Sequence, residues 1–401
     1  MKEVLVLGGG FAGVWSAASA VRAARDIGEP VRVTLVSAGD DLVIRPRLYQ
    51  SDSDRMRVPL DRILGPVGVR RVPAIINRVD VAGKTVHAVD RVGEELLFPY
   101  DKMILAAGSQ VVRPVIPGAE HLFDVDTLPS ATALDQHLRR LPVGPDTPGR
   151  YTAVVVGAGF TGLEIATELG SRLESIAGPG VPVRVVLVDR AEVVGTALGN
   201  GPRAHIEQAL AKLDVELRLR TTVEELSATE VRLATGEIIP TSTVVWTIGM
   251  LANPLTWHVP ADRDRLGRLV VDDFMRVPGV PDVYAAGDTA AAAVDSDHTT
   301  LQSCQFAQPM GKCAGHNAVS DLFGRDPLKF APDPYSNHLD LGPAGAVATT
   351  GFERDVVHAG EQAKAEKQTI NTRFIYPPVD SAEALLARSG LLSNRKAASL
   401  T

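Results

Sequence analysis

VLVLGGGFAGVWSA (residues 4–17) and AVVVGAGFTGLEIA (residues 153–166) carry G-x-G-x-x-G on one frame, and their reading decides the fold. In each, an apolar β-type run meets three glycines: Gly8, Gly10 and Gly13 in the first copy, Gly157, Gly159 and Gly162 in the second. The first glycine makes the tight turn from strand into helix. The second lets a pyrophosphate approach bare backbone, and the third lets the helix pack on its strand. Free amides at the helix N-terminus then hold the phosphate charge. Each copy opens a small-residue helix pattern and leads to a second β-type run, residues 31–36 and 183–188, as a βαβ unit requires. Two nucleotide sites follow. Phe11 and Ala12 lie inside the first fingerprint, Phe160 and Thr161 inside the second.

The residue ending each second strand distinguishes the sites, because a carboxylate there accepts hydrogen bonds from the adenosine ribose. The second copy has Asp189, which favours NAD(H), while the adjacent Arg190 leaves NADP(H) open. The first has Ser37, which can bond a hydroxyl without charge, and Asp40 and Asp41 stand slightly too far along.

YDKMILAAGS (100–109) and STVVWTIGM (242–250) are a matching pair of later β-type runs, so the duplication extends past the fingerprints, with Gly108 and Gly249 at corresponding places. PDVYAAGDTA (281–290) ends in Gly287-Asp288 and has no counterpart in the second half. In this order the motifs resemble the two-dinucleotide-fold flavoproteins of the pyridine nucleotide-disulfide reductase superfamily, over roughly residues 1–330. The resemblance is strongest to type II NADH dehydrogenases, through RPRLYQ (45–50), PGAEH (117–121), TGLEIATEL (161–169), WTIGMLANPL (246–255) and SCQFAQPMG (303–311).

That resemblance implies a fold class and a cofactor set. The fold is α/β, with two Rossmann-like domains, the NAD domain inserted in the FAD domain, and a small α+β C-terminal region. FAD falls to the first site, with Ala107, Gly108, Gly287, Asp288, Arg45, Gln305, Phe306 and Ala307 near it, and NAD(H) to the second, with Gly249. Glu164, two residues past the third glycine, matches a glutamate that the family places near nicotinamide and flavin, which makes it the candidate catalytic carboxylate. From the residues alone it is equally an acid stabilised by the helix dipole.

The family's quinone pattern is A-Q-x-x-x-Q-Q-G, where this chain reads C-Q-F-A-Q-P-M-G. Gln305 matches, Gln308 is one position early, and Pro309 and Met310 stand where two glutamines are expected. Arg45 and Arg47 flank Pro46; facing a flavin, they would stabilise its reduced anion or select a polar acceptor. Arg47, Tyr49, Gln305, Gln308 and Pro309 are therefore the substrate-side candidates, with Gln50 beside them.

The 401 residues, 45% hydrophobic and 22% charged, suffice for more than one core. A net charge of −7 argues against a nucleic-acid partner. The opening MKEVLVLGGG is a first strand rather than a secretory signal, so a cytoplasmic location is expected, with peripheral contact at the inner face of a membrane left open. The uncharged stretch 238–261 is broken by Pro240, Pro254 and Pro260 and reads as strand, turn and loop. Cys304 and Cys313 are nine apart on or near one helix, without the C-x-x-C or C-x-x-x-x-C of disulfide reductases. This counts against the disulfide-type reductases and points to chemistry carried by cofactors. The scattered histidines show no metal spacing, and no metal is expected.

The expected organisation is an FAD domain from residues 1–113 and 255–330, an NAD(P)H domain at 114–254, and an access or interface region at 331–401. LPVGPDTPGR (141–150) is a connector. After residue 330, short antiparallel strands precede a helix within 363–378, and 381–392 reads as a frayed surface helix. The function implied is hydride uptake from NADH and electron delivery to a quinone-like or other small acceptor. A soluble relative acting on a specialised metabolite, and a slow flavin redox sensor or interaction protein, are the alternatives; a homodimer is left open.

Overall fold

The computed structural model describes residues 1–391. Strand β1 (Lys2–Leu7) enters helix α1 (Phe11–Ile27) and then strand β2 (Val31–Ser37), which lies parallel to β1. Val4 to Leu7 are wholly buried, as expected of a strand covered on both faces. Gly28, left-handed at φ 81°, ends α1 by donating to Ala24 and Arg25 carbonyls. β2 pairs with β3 (Arg70–Asp80), which continues antiparallel through β4 (Thr85–Asp90) and β5 (Glu95–Pro99), and β6 (Lys102–Leu105) returns to β1.

A second sheet, parallel throughout, repeats the strand–helix–strand opening of the first. It contains β7 (Leu122–Phe123), β8 (Thr152–Val156), β9 (Arg184–Val188), β10 (Val215–Arg218) and β11 (Thr243–Trp246), in spatial order β7-β11-β8-β9-β10. Helix α2 (Phe160–Ala177) follows β8 as α1 follows β1. The chain then returns to the first sheet with β12 (Val283–Ala285), which pairs with β6. The first sheet therefore runs β12-β6-β1-β2-β3-β4-β5. Beside β11, the place that β12 holds beside β6 belongs to the two-residue β7, from before the second fingerprint.

Helix α3 (Cys304–Leu322) crosses α1 at very short range. A Cβ on Gly311 would lie 2.3 Å from the Ala12 carbonyl oxygen, and one on Gly315 2.1 Å from that of Ser16. Gly311, which the quinone pattern shares, is thus required here by helix packing.

The C-terminal region is the expected antiparallel sheet, β13 (Ser336–Asp340), β14 (Ala346–Thr350) and β15 (Asp355–Gly360), followed by α4 (Glu361–Thr369) and a π-helical turn, Ile370–Phe374. One expectation is corrected. Helix α5 (Ala382–Arg388) is docked rather than frayed: Leu385 is fully buried, Ser381 caps the Ala384 amide, and Arg22 of α1 donates to the Leu386 and Ala387 carbonyls. Gly390 lets the chain pass Arg22, where a Cβ would meet Nη1 at 2.5 Å. Leu392, the end of the expected helix, lies outside the described residues. The 238–261 stretch is three short strands and a 3₁₀ turn, and among the described residues no helix is long and apolar enough to cross a membrane.

Candidate functional site

The six fingerprint glycines divide into the three physical roles. Gly8 and Gly157 turn the chain at φ +119° and +110°. A Cβ on Gly13 would stand 1.8 Å from the Gly8 carbonyl oxygen, and one on Gly162 1.7 Å from that of Gly157, so both helices rest on their own turns. A Cβ on Gly10 or Gly159 would meet nothing within 4 Å. Both are helix N-caps without a side-chain cap, leaving amides free to meet an anion.

A cavity of about 1530 Å³ opens from the first of these N-termini. Ordinary small-molecule pockets hold roughly 300–1,000 Å³, so there is room for more than one bound group. Gly10, Phe11, Ala12, Ser37, Arg45, Ala107, Gly108, Gly287, Asp288, Gln305, Phe306 and Ala307 line it from the first half, with Tyr49, Gln308 and Pro309. From the second half come Phe160, Thr161 and Glu164, with Trp246 and Thr247 beside them. Asp41, set aside on sequence spacing, also reaches the wall, while Asp40 pairs outside it with Arg71 and Arg91.

Arg45 stands on this wall without bringing net charge. Its guanidinium donates to Ser109 Oγ (2.8 Å) and to the Asp126 carboxylate, and lies 3.5 Å from Asp288. Ser109 Oγ in turn donates to Asp288 at 2.6 Å. Arg47 turns away, contrary to expectation. It donates to Gln50 (3.0 Å) and Tyr376 Oη (2.8 Å) and lines a separate, small polar pocket. Side chains two apart on a 3₁₀ turn do not share a face, which separates the pair.

Glu164 is 3% exposed and faces the cavity from α2. Its Oε1 accepts from Lys367 Nζ at 2.8 Å and from the Asp340 amide at 3.2 Å. Burial pushes its carboxyl up to about 7; the Lys367 ammonium opposes that rise, and the Asp340 charge adds to it. Lys367 also donates to the His338 carbonyl (2.9 Å) and sits over the Phe160 ring, 5.1 Å from its centroid. Tyr49 Oη donates to Asp340 at 2.9 Å, and burial holds this phenol far above its usual range. Lys367 and Asp340 were not found from sequence, since they lie about two hundred residues from Glu164 in a region without a motif.

The start of α3 forms another wall. The Gln305 carboxamide faces the main-chain amide and carbonyl of Ser336. Gln308 is buried against the cavity, whereas Met310 is 1% exposed and turned into the core. Pro309 presents its ring to the cavity and removes the amide that would bond the Gln305 carbonyl. Ser303 Oγ, on the same wall, is buried with no partner among the described residues. Cys304 and Cys313 are free thiols raised by burial to about 11 and about 12. Nine residues of α-helix separate them by roughly 13 Å, beyond the ~7 Å limit of a disulfide.

The other second-site residues lie off the cavity wall. Asp189 accepts from the Ala158 amide (2.6 Å) and the Ala191 amide (2.7 Å), which fixes its carboxylate at the strand end beside the Gly157 turn. Arg190 follows it. Gly249, at φ +87°, accepts through its carbonyl from the Val112 amide and joins the two halves.

The sequence pattern of the pyridine nucleotide-disulphide oxidoreductase family matches residues 2–311. The chain is 46% identical over 390 residues to the NADH dehydrogenase-like protein MT1860 of Mycobacterium tuberculosis, covering 96% of each. It is 27% identical to the demethylphylloquinone reductase NdbB of a Synechocystis species, covering 86% of each. Among solved structures, NDH2 from Plasmodium falciparum in complex with NADH shares the fold at a TM-score of 0.77 and 12% identity, covering 96% of each chain.

Proposed function

The chain belongs to the pyridine nucleotide-disulphide oxidoreductase family and is an NAD(P)H oxidoreductase that binds flavin and a nicotinamide dinucleotide; we propose that the flavin is FAD, the reductant NADH and the acceptor a quinone-like small molecule. The observation that carries this reading is the Glu164–Lys367 pair, set in the wall of the cavity that opens from the first fingerprint.

The residues fit a dinucleotide flavin at the first site. Gly10 leaves space at a helix N-terminus, Ser303 Oγ is a buried polar atom without a partner among the described residues, and Asp288 is held at the wall by Ser109. When bound, the flavin supplies hydride acceptance from the nicotinamide and electron delivery to the acceptor. The amides opening α1 hold one diphosphate and those opening α2 the other. Asp189, pinned by two main-chain amides, favours the unphosphorylated ribose of NADH.

A quinone reduced by a hydride equivalent gains two electrons and one proton from NADH, and needs one further proton from the protein. Glu164, its carboxyl raised to about 7, is partly protonated at neutral pH at the cavity wall and can donate that proton, and Lys367 opposes the rise and eases its release. Pro309 and the stacked rings of Phe306 and Tyr335 present an apolar surface to a flat acceptor. Arg45, balanced by Asp126 and Asp288, gives an acidic acceptor no free cation to meet.

We further propose the division into an FAD domain (1–113 with 255–330), an NADH domain (114–254) and a covering region (331–401), supported by the return of β12 to the first sheet. We assign the enzyme to the cytoplasm. Phe374, half-exposed on the cavity wall, would be its apolar contact with a membrane surface.

Anaerobic stopped-flow absorbance of the purified protein tests the reading, with NADH mixed first and a soluble quinone second. Fast bleaching followed by fast reoxidation is expected. Bleaching without reoxidation would move the acceptor to another class, and no bleaching would sink the hydride step. Chromatography of the released flavin decides between FAD and FMN.

A further inference from the structure

Outside the Glu164 pair, the described residues bring together one set of side chains with metal-ligand chemistry. His338, His358 and Glu366 each place a ligand atom within 4.8 Å of the others. Glu366 Oε2 lies 3.1 Å from His338 Nε2 and 2.7 Å from His358 Nε2. The fold builds this arrangement from three elements. His338 on β13 pairs with Ala348 on β14, and Ala348 pairs with His358 on β15, so the two imidazoles flank a single alanine on one face of the sheet. Ala346, Ala348 and Ala363 form a small buried cluster between sheet and α4. Because α4 packs Ala363 against the sheet alanines, Glu366, three residues past Ala363 and on the same helix face, comes down between the two histidines.

We propose that His338, His358 and Glu366 bind a divalent transition-metal ion, with Zn2+ the best match. Two imidazoles and one carboxylate are the donor set of three-ligand zinc centres, and these donors disfavour Mg2+ and Ca2+, which require oxygen. Zinc bonds of about 2.0–2.1 Å give a tetrahedral edge of roughly 3.3 Å, close to the two nitrogen-to-oxygen separations already present. The ion replaces two N–H···O contacts by coordination: each imidazole moves its proton from Nε2 to Nδ1, and Nε2 becomes the ligand. His338 and Glu366 also line the large cavity, which gives the ion a way in and leaves a fourth position for water.

The position has a structural consequence. Glu366 is followed by Lys367, the partner of Glu164, and Lys367 itself donates to the His338 carbonyl. A metal joining β13, β15 and α4 therefore clips the covering sheet to the helix that carries Lys367.

The test uses the full chain with its flavin, freed of metal by a chelator and titrated with Zn2+ against a chromophoric competitor. One Zn2+ per chain is expected, with a rise in thermal midpoint that an equal concentration of Mg2+ does not give. His358→Ala, on the outer strand of its sheet, should weaken binding by more than the roughly 10–100-fold that loss of an outer hydrogen-bond partner costs. His338→Gln and Glu366→Gln should do the same, and circular dichroism should report unchanged fold in at least one of the three. His87→Ala, remote from the cluster, should bind Zn2+ as the parent does. Absence of Zn2+ binding by the parent, equal binding by all three variants, or equal stabilisation by Mg2+ would each overturn the proposal.

Discussion

The two fingerprint helices open on the same backbone turn and diverge at one buried position that meets a later part of the chain. Two residues past the third glycine stands Trp15 in α1 and Glu164 in α2, and both are buried. Each meets a cation from a later part of the chain. Lys312 lies 4.8 Å and Arg388 5.5 Å from the Trp15 ring, while Lys367 Nζ lies 2.8 Å from Glu164 Oε1. The indole offers a face to pack against and has nothing to titrate; the carboxyl holds a proton near neutral pH. In both copies the glycines leave helix-opening amides uncapped, and on the proposed reading the equivalent side-chain position separates a packing role from a chemical one.

The largest expected effect breaks the two sites apart. Gly10 and Gly159 have room for a Cβ in the protein itself, so Gly10→Ala and Gly159→Ala should both fold. Each methyl occupies the approach of a pyrophosphate. Gly10→Ala should purify largely without its yellow flavin. Gly159→Ala should keep the flavin yet lose NADH reduction on the order of a hundredfold through misplacement of the dinucleotide. Absorbance spectra and single-turnover reduction distinguish them, and loss of flavin from both would remove the assignment of separate sites.

Glu164→Gln sharpens the comparison at the position itself. A donor works only while protonated, so the parent's reoxidation by quinone should be fast below pH 7 and fall as pH rises through about 7. The variant should be slower by roughly 10²–10⁴-fold in that half-reaction and lose the pH step, with flavin reduction by NADH little changed. Linkage gives a second reading. The folded carboxyl titrates near 7 and the unfolded one near 4.5, so its contribution to stability is complete below about pH 4.5 and is lost as pH rises to 7. The parent's thermal midpoint should therefore decline across that window more steeply than the variant's.

What the sequence made legible was local. The glycine roles, the apolar runs of β1 and β8, and the alternation of β13 to β15 each lie within a short window where backbone sterics or periodicity speak directly. β7 is two residues long and offers no period to read. Lys367 and Asp340 reach Glu164 only through tertiary packing, and no spacing announces them. Arg45 and Arg47 looked like one feature because they are two apart, but the 3₁₀ turn sends them to different pockets. The histidines near the C-terminus were scattered by number, and β-sheet register is what brings His338 and His358 to a shared alanine.

Trp15→Ala removes the fully buried indole and its two cation contacts, at a cost of about 3–5 kcal/mol, read by denaturation of the flavin-loaded protein. The pH step of quinone reoxidation should stay where it was. A displaced step would mean that Trp15 contributes to the chemistry, and the division between the two helices would fail.

The smallest effects come from the arginines. Arg45→Ala leaves the Asp126 carboxylate, whose side chain is 7% exposed, without its partner, and a buried group stripped of its hydrogen bond costs about 1–3 kcal/mol. Asp126 retains the Val111 amide at 2.8 Å, which favours the lower end. Arg47→Ala loses contacts to Gln50 and Tyr376, both neutral and both able to turn to water, so its cost should stay within about 0.5 kcal/mol. The acceptor's KM should likewise be unchanged by Arg47→Ala, since that side chain lines the smaller pocket. A tenfold rise in KM for Arg47→Ala with none for Arg45→Ala would reverse the assignment of the two pockets, because it would place the acceptor on the side of the turn that faces away from Glu164.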